Sequence, residues 1–424
     1  MKNKLNILVI AAMAMVFVNL ASCSDDDLGA TIFDTKEYPL DKNAYTFPLD
    51  TFIKVNFLEP YNMKFIYRMQ YISSDKDKNL TPASYDNSSK LAVLTKYLWY
   101  DVYNDVAESH STFLKKYSPR IIHVIGSKSL NTSSGTETLG VTEGGTKVTL
   151  YRVNLLDPAD IDNMNEYFFE TMHHEFGHIL DNNKLHPTTF NLLSNGHYNA
   201  AGWNETPDSV AYSLGFFSNY ASSSYTEDWV ETLGRYITRD SIALQKMFGS
   251  AAYDWEIIDL EDKNGDGDKD RSDYDYMIAG NVDIDTIGYF KEDESGNDEH
   301  KIYRRICERD QNDNVVKGED GKPQWVMNTL GAKQLLEQKL EMVRTYMKEQ
   351  FGVDLDKLRY QIQAKQFRKG ADGKFLTETY YNPVTKRNDV RLLNAIVYVD
   401  PNTGKSVLDT LLEELEKYKK LQNQ

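Results

Sequence analysis

Met172-His173-His174-Glu175-Phe176-Gly177-His178-Ile179-Leu180-Asp181 is the stretch from which the rest of the chain can be read. On an α-helix, residues four apart lie one turn apart on the same face, so His174 and His178 can grip one metal ion together. Glu175 projects beside them, placed to take a proton from a water at the metal. So short a pattern arises by accident in long chains, and its surroundings have to support it. Asp157-Pro158 reads as a helix start, with Asp as N-cap and Pro at the first helical position. Ile161, Met164, Phe168, Met172, Phe176 and Ile179 then recur at three- and four-residue spacing as one apolar stripe, which stops near Asn182-Asn183. Both histidines fall late on this predicted helix, off the centre of its buried stripe. The plain alternative is a pair of satisfied surface histidines; two at this spacing around a glutamate favour the metal.

Zinc in a catalytic site takes three protein ligands and keeps one position open for water. A metzincin would place Gly three and His six residues beyond His178, where this chain has Asp181 and Lys184. His186 and His197 come too late and off-pattern, and read as loop residues. A better source is Tyr225-Thr226-Glu227-Asp228-Trp229-Val230-Glu231-Thr232-Leu233. Trp229, Val230, Leu233, Tyr236 and Ile237 form a helical stripe, with Glu227 and Glu231 one turn apart. Glu227 is the candidate third ligand, and Glu231 the partner for the far ring nitrogen of a ligating histidine. Ser224-x-x-Glu227 is also a capping box, a purely structural reading of the same glutamate.

A second helix carrying E-x-x-x-E downstream of H-E-x-x-H resembles the gluzincin branch of zinc peptidases. In detail it is similar to the catalytic domain of anthrax lethal factor, which also reads HEFGH and has a tyrosine seven residues before its ligating glutamate, as Tyr220 precedes Glu227 here. Closer still, HEFGHIL, GFFSNYA and EDWVETL resemble the zinc-binding metallopeptidase lipoproteins of Gram-negative bacteria, encoded beside outer-membrane nutrient importers. The resemblance is specific over about residues 60 to 250. It implies that His174, His178 and Glu227 bind zinc, that Glu175 is the base and that Tyr220 stabilises the oxyanion. It also implies a TonB-dependent import complex of the outer membrane as a partner.

Met1-Lys2-Asn3-Lys4 opens the chain, followed by an apolar stretch, Leu5 to Val18, too short for a comfortable membrane span. It ends Leu20-Ala21-Ser22-Cys23, small residues before a cysteine, as a lipoprotein signal peptidase reads them. Cys23 is therefore the expected lipidated first residue of the mature protein, so Cys307 has no second cysteine to bridge to and the fold is expected to hold no disulfide. Ser24-Asp25-Asp26-Asp27 reads as a solvated tether and also resembles the export signal that sends some lipoproteins to the outer face of the outer membrane. No other segment reads as a span, so lipid alone is expected to hold the body at the membrane. The formal charge of −16 disfavours nucleic acid and anionic membrane as partners. Aromatics make up 12% of the chain, a level common in surface proteins that handle peptides or glycans.

Asn62 to Arg68 reads as a strand, and Leu91, Leu94, Leu98, Val102 and Val106 mark one face of a long helix. Arg120 to Ile125 is almost wholly apolar and so a buried central strand, with His123 packed rather than functional. Gly140 to Val153 reads as a hairpin arm, and Thr146 to Asn154 as the candidate edge strand for an extended substrate. Pro187 to Ala221, with Trp203, Tyr212, Phe216 and Phe217, is expected to line the cleft. Beyond residue 250, Asp262 to Asp273 matches a twelve-residue calcium loop: Asp262, Asn264, Asp266, Asp270 and Asp273 at the side-chain positions, Gly267 at the sharp turn and Asp268 offering its carbonyl. A solvated acidic loop is the alternative. Leu335 to Phe351 and Leu408 to Leu421 read as helices, and the resemblance implies that the first packs as part of the catalytic module.

The expected organisation is a signal peptide over 1–22, a tether over 23–50, a zincin-like catalytic domain over 51–250, an acidic insertion with a calcium-type loop over 251–330 and a helical or mixed region over 331–424. The fold class is α+β: helix, mixed sheet with an edge strand, H-E-x-x-H helix and glutamate helix, with a C-terminal α+β extension. The expected function is zinc-dependent hydrolysis of peptide bonds at the cell surface in support of nutrient import. The rival is a non-catalytic surface lipoprotein that binds peptide or glycoprotein for an importer, against which the intact Glu175 argues.

Overall fold

Ile121-Ile122-His123-Val124 lies between two parallel neighbours, and Ile122, His123 and Val124 are buried in succession, so both faces of the strand are covered and its sequence is almost wholly apolar. The computed structural model describes residues 40–69, 78–130, 137–143, 145–270, 272–273, 291–292, 298–299, 301–382 and 387–422. The chain divides into Met1–Asp41 and Lys42–Gln424. Of the first unit only residues 40 and 41 are described. The leader, Cys23 and the acidic run after it lie outside the described residues.

Four strands form the principal sheet of the second unit: β1 (Lys64–Ile66), β2 (Ile121–Val124), β3 (Gly140–Glu143) and β4 (Lys147–Leu150), in the order β1-β2-β4-β3. β1, β2 and β4 are parallel, with Phe65 opposite Ile122 and Ile122 opposite Val148. β3 turns back antiparallel on β4, setting Gly140 against Leu150 and Val141 against Thr149. The edge-strand expectation for Thr146 to Asn154 is thereby corrected. β4 has a neighbour on each side and buries Val148, Thr149 and Leu150, while the first arm of the hairpin takes the edge.

The long helix of the sequence reading is α2 (Tyr85–Thr95), continued through a π-helical turn at Lys96–Tyr100 into α3 (Asp101–Val106). Leu91, Leu94, Leu98, Val102 and Val106 are all buried. The motif helix is likewise built in three parts: α4 (Ile161–Met164), a π-helical turn Asn165–Glu170, and α5 (Thr171–Asn183). Its cap is Asp160, whose carboxylate accepts the Asn163 N–H at 3.0 Å, rather than Asp157, which serves the turn before it through Ala159. The whole predicted stripe from Ile161 to Ile179 is buried. Phe176 sits edge-on to Trp99, Tyr103 and Phe113 at centroid distances of 5.5, 5.5 and 5.9 Å, so its truncation should cost about 3–5 kcal/mol.

One boundary differs from the sequence reading. The tether ends before residue 50, because α1 (Phe47–Ile53) is a wholly buried helix. The C-terminal region packs on the main core. α7 (Ala332–Phe351), α8 (Leu355–Gln366) and α9 (Val407–Gln422) contribute Leu336, Val343, Leu358 and Leu415 to the same core as the sheet and the motif helix. α9 returns to the start of the unit, where Asn56 donates to Glu414 at 3.0 Å and Gln422 to the Ala44 carbonyl at 2.9 Å. The segment from 251 to 330 contributes the antiparallel pair Trp255–Asp259 and Lys301–Arg305. Among the described residues no helix is long and apolar enough to cross a membrane.

Candidate metal centre

Helix α6 (Tyr225–Thr238) packs on α5 across two glycines. A Cβ on Gly177 would stand 3.0 Å from Val230 Cγ1, and one on Gly234 would stand 3.3 Å from the backbone nitrogen of His174. A side chain at either position would press its neighbour back by a few tenths of an ångström, so glycine suits this close approach, which brings carboxylates of one helix to imidazoles of the other. Ser224 caps α6 by accepting the Glu227 N–H at 3.3 Å. The cap therefore forms, yet the Glu227 carboxylate goes to the histidines: its Oε2 lies 3.1 Å from His174 Nε2 and 3.3 Å from His178 Nε2. The three donor atoms all fall within 4.8 Å of one another. Tetrahedral ligation at zinc bond lengths of ~2.1 Å puts donor atoms about 3.4 Å apart, so this donor set fits the ion in chemistry and in spacing.

His173, next in the chain, points into the core instead. Its Nδ1 lies 3.2 Å from the Tyr103 hydroxyl, and burial pushes its pKa down to about 3. His174 behaves in the opposite way. Burial disfavours its charge, but hydrogen bonds to Glu227 and Glu231 outweigh that and hold its pKa well above the ordinary histidine value. Burial likewise opposes ionisation of Glu227, and the two histidines overcome it, keeping the carboxylate ionised far into acid. The site as a whole favours positive charge between these groups.

Glu231 Oε1 accepts from His174 Nδ1 at 2.6 Å, which turns Nε2 toward Glu227. Ser218 Oγ donates to Glu231 Oε2 at 2.5 Å, and Arg235 Nε stands 3.2 Å from the same oxygen. Arg235 also pairs with Glu170 at 3.2 Å and Asp208 at 2.6 Å. Ser218 and Arg235 escaped the sequence reading, although Glu231-x-x-x-Arg235 is ordinary helical pair spacing. Behind Glu227, buried Asp228 meets Lys339 of α7 at 2.6 Å and accepts from the Tyr198 hydroxyl at 2.9 Å. The C-terminal helix is thus tied to the residue beside the third donor.

A cavity of about 480 Å³ opens beside His174, with Glu175, Trp203, Tyr220 and Gly140 also among its lining residues. Glu175 is buried, and β3 comes so close that a Cβ on Gly140 would stand 2.3 Å from Thr171 Cγ2 and 3.6 Å from Glu175 Oε1. Tyr220 sits with its ring 5.9 Å from that of His174 and 4.8 Å from that of Trp203. Burial and then the nearby Glu227 raise its phenol above the usual range, so it remains a donor. Of the loop expected to line the cleft, Trp203 and Tyr220 do so; Phe216 and Phe217 are fully buried. His186 and His197 lie in irregular segments, and neither joins the donor set.

The acidic loop closes on itself elsewhere. Carboxylate oxygens of Asp262, Asp266 and Asp273 lie within 4.8 Å of one another, as do those of Asp268, Asp270 and Asp273. Asp262 accepts from the N–H groups of Gly265 and Gly267, and Asp273 from Lys263, Asn264 and Asp270. The Asn264 side chain donates to Asp266 at 2.8 Å.

The model of the family described as "Putative zinc-binding metallo-peptidase" matches residues 42–356. A crystal structure under the same description, from Bacteroides caccae ATCC 43185, is similar at 28% sequence identity and a TM-score of 0.48, covering 74% of this chain and 90% of that one. No curated protein matches. Spanning the sheet, both site helices and the first C-terminal helix, the family match establishes that this α+β, zincin-like chain belongs to the zinc-binding metallo-peptidase family.

Proposed function

We propose that the protein hydrolyses peptide bonds with zinc held by His174, His178 and Glu227. The observation that carries this reading is one carboxylate oxygen of Glu227 set against both imidazole Nε2 atoms, with Glu175 lining the same cavity as His174. Bound zinc supplies a Lewis acid and a water of lowered pKa. Glu175 accepts the proton of the attacking water and passes it to the leaving amine. The Tyr220 hydroxyl donates to the oxyanion that forms at the scissile carbonyl. Glu231, fixed by Ser218 and Arg235, holds His174 in the tautomer that leaves Nε2 available to the metal. The outer edge of β3 is the place for the main chain of an extended substrate.

Metal analysis of the purified protein, paired with a peptide-library digest with and without chelator, tests this reading. One zinc per chain and chelator-sensitive cleavage are expected; zinc-loaded protein that cleaves nothing in the library would overturn it.

The compartment follows from residues 1 to 27. We read the protein as lipidated at Cys23 and displayed on the outer membrane of a Gram-negative cell, where it supplies peptides to a TonB-dependent import complex. Cys23→Ser should leave the membrane fraction or accumulate as precursor, and normal membrane partition of that variant would refute the anchor. We read the loop Asp262, Asn264, Asp266, Asp268, Asp270 and Asp273 as a calcium site that stabilises the fold and takes no part in catalysis.

A further inference from the structure

Tyr220 opens a lone helical turn, Tyr220–Ser223, so no long element fixes where its phenol stands. The two residues before it are held instead. Ser218, fully buried, donates from Oγ to Glu231 Oε2 at 2.5 Å and accepts the Ala221 N–H at 2.9 Å. Asn219 gives its backbone N–H to Asp208 Oδ1 at 2.8 Å and its side-chain amide to the Thr206 carbonyl at 3.0 Å. Arg235 gathers both carboxylates: Nε lies 3.2 Å from Glu231 Oε2, and Nη1 donates to Asp208 Oδ2 at 2.6 Å. One guanidinium on the glutamate helix thereby fastens the chain immediately before Tyr220 through two acids. Glu231 also orients His174, whereas the hydrogen bonds of Asp208 go to Asn219, Arg235 and the Tyr212 hydroxyl.

The segment that ends at Asp208 also reaches the phenol itself. Trp203, in the turn Trp203–Glu205, sets its ring 4.8 Å from that of Tyr220, which lies 5.9 Å from the His174 ring on its other contact. Residues 203 to 208 thus grip Asn219 and Tyr220 through Trp203, Thr206 and Asp208, and Asp208 ties that grip to the helix bearing Glu227 and Glu231. Asp208 also begins the short helix Asp208–Ser213, where a carboxylate suits the unpaired N–H groups. That role alone calls for neither Asn219 nor Arg235. Placement matters because a catalytic group displaced by about 1 Å can lose on the order of a hundredfold in rate.

We propose that Asp208 is a positioning residue for hydrolysis: by joining the Asn219 N–H to Arg235, it keeps the Tyr220 hydroxyl in register with the metal donors. The proposal rests on the peptidase reading above, in which Tyr220 stabilises the oxyanion.

The test compares the parent with Asp208→Ala, Tyr220→Phe and the double variant, all zinc-loaded. Three quantities are read: peptide cleavage, calorimetric binding of a phosphinic peptide that mimics the tetrahedral oxyanion, and zinc affinity by chelator competition. Asp208→Ala should lower kcat about ten- to a hundredfold, with KM and zinc affinity within roughly threefold of the parent. Tyr220→Phe should lower kcat by about a hundredfold or more. In the Tyr220→Phe background, Asp208→Ala should cost no more than roughly a further twofold, because the hydroxyl it positions is already gone. Asp208→Asn keeps an acceptor for the Asn219 N–H and gives up only the charge toward Arg235. Its side chain is 35% exposed, so this variant should fold and show the same pattern at smaller size, and the cycle is run with it if the alanine variant does not fold. Unchanged kcat in the Asp208 variants, losses that multiply in the double variant, or zinc affinity falling in step with kcat overturns the positioning role and leaves the peptidase reading standing. If the parent cleaves no peptide, the peptidase reading falls and the phosphinic peptide decides. Weaker binding in Asp208→Ala that disappears in the Tyr220→Phe background keeps Asp208 as the residue that positions Tyr220; equal loss in both backgrounds, or no binding, overturns that as well.

Discussion

Glu231 accepts a hydrogen bond from His174 Nδ1 at 2.6 Å, and Glu227, one turn earlier on the same helix, stands 3.1 Å from the other nitrogen of that ring. A single helix therefore both supplies the third donor and orients the first. Glu227→Ala should lower zinc affinity sharply, because two imidazoles alone hold the ion poorly. Glu231→Ala should cost roughly ten- to a hundredfold through the misoriented ring. Competition titration against a chromophoric chelator measures both; zinc lost in the Glu231 variant but kept in the Glu227 variant would reverse the roles.

Glu175→Gln changes one carboxylate to an amide of the same shape at a buried position. Zinc stoichiometry and melting temperature should hold while peptide hydrolysis nearly vanishes, since only the proton carrier is gone. Substantial residual turnover would remove Glu175 from the mechanism.

Lys339 and Asp228 form an ion pair with neither side chain exposed, 2.6 Å apart. Burial pushes the lysine pKa down and the aspartate pKa up, so each needs the other to stay charged. Lys339→Ala strands a buried carboxylate beside Glu227 and should destabilise the fold by about 3–5 kcal/mol. The double variant Asp228→Asn, Lys339→Met should recover much of that loss in chemical denaturation. A single variant as stable as the parent would show that the pair contributes nothing.

His186 donates from Nδ1 to Asp181 at 2.9 Å and from Nε2 to Asn191 at 2.8 Å, while stacking on Trp229 at 4.8 Å. Burial opposes its charge, but the bonds to Asp181 and Asn191 win and raise its pKa. A raised histidine stabilises the fold fully below its unfolded pKa of about 6.5, and that contribution disappears as pH rises through the folded value. The melting-temperature gap between parent and His186→Gln should therefore be widest in mild acid and narrow toward alkaline pH. A gap independent of pH would mean that the ring acts by packing alone.

Calcium should raise the melting temperature at millimolar concentration, and magnesium should do so less, because it demands a smaller and stricter octahedron. The Asp266 carboxylate already lifts the Asp268 pKa above the usual range, the repulsion that a divalent ion relieves. Asp262→Ala should abolish the calcium response with little change in peptide cleavage. A melting curve indifferent to calcium in the parent protein would reduce this segment to a solvated acidic loop.

Periodicity and spacing in the sequence determined the motif helix, its buried stripe, the central apolar strand and the pairing of Glu227 with Glu231 on one later helix. Those features are local, because helical geometry alone puts residues three and four apart on one face. The edge of the sheet was not legible, since Lys147–Leu150 and Gly140–Glu143 are arms of one hairpin and only a parallel neighbour decides which lies outside. The resemblance implied that Leu335 to Phe351 packs with the catalytic module, but not the contacts that fasten the C-terminal region: Lys339 on Asp228 and Asn56 on Glu414, partners far apart in the chain. Nothing in the spacing singled out Arg235, because Asp208 and Glu170 come to its other sides only through folding. Tertiary structure decided these because burial leaves a charge only the partners that packing brings to it, and sequence spacing says nothing about partners that are distant in the chain.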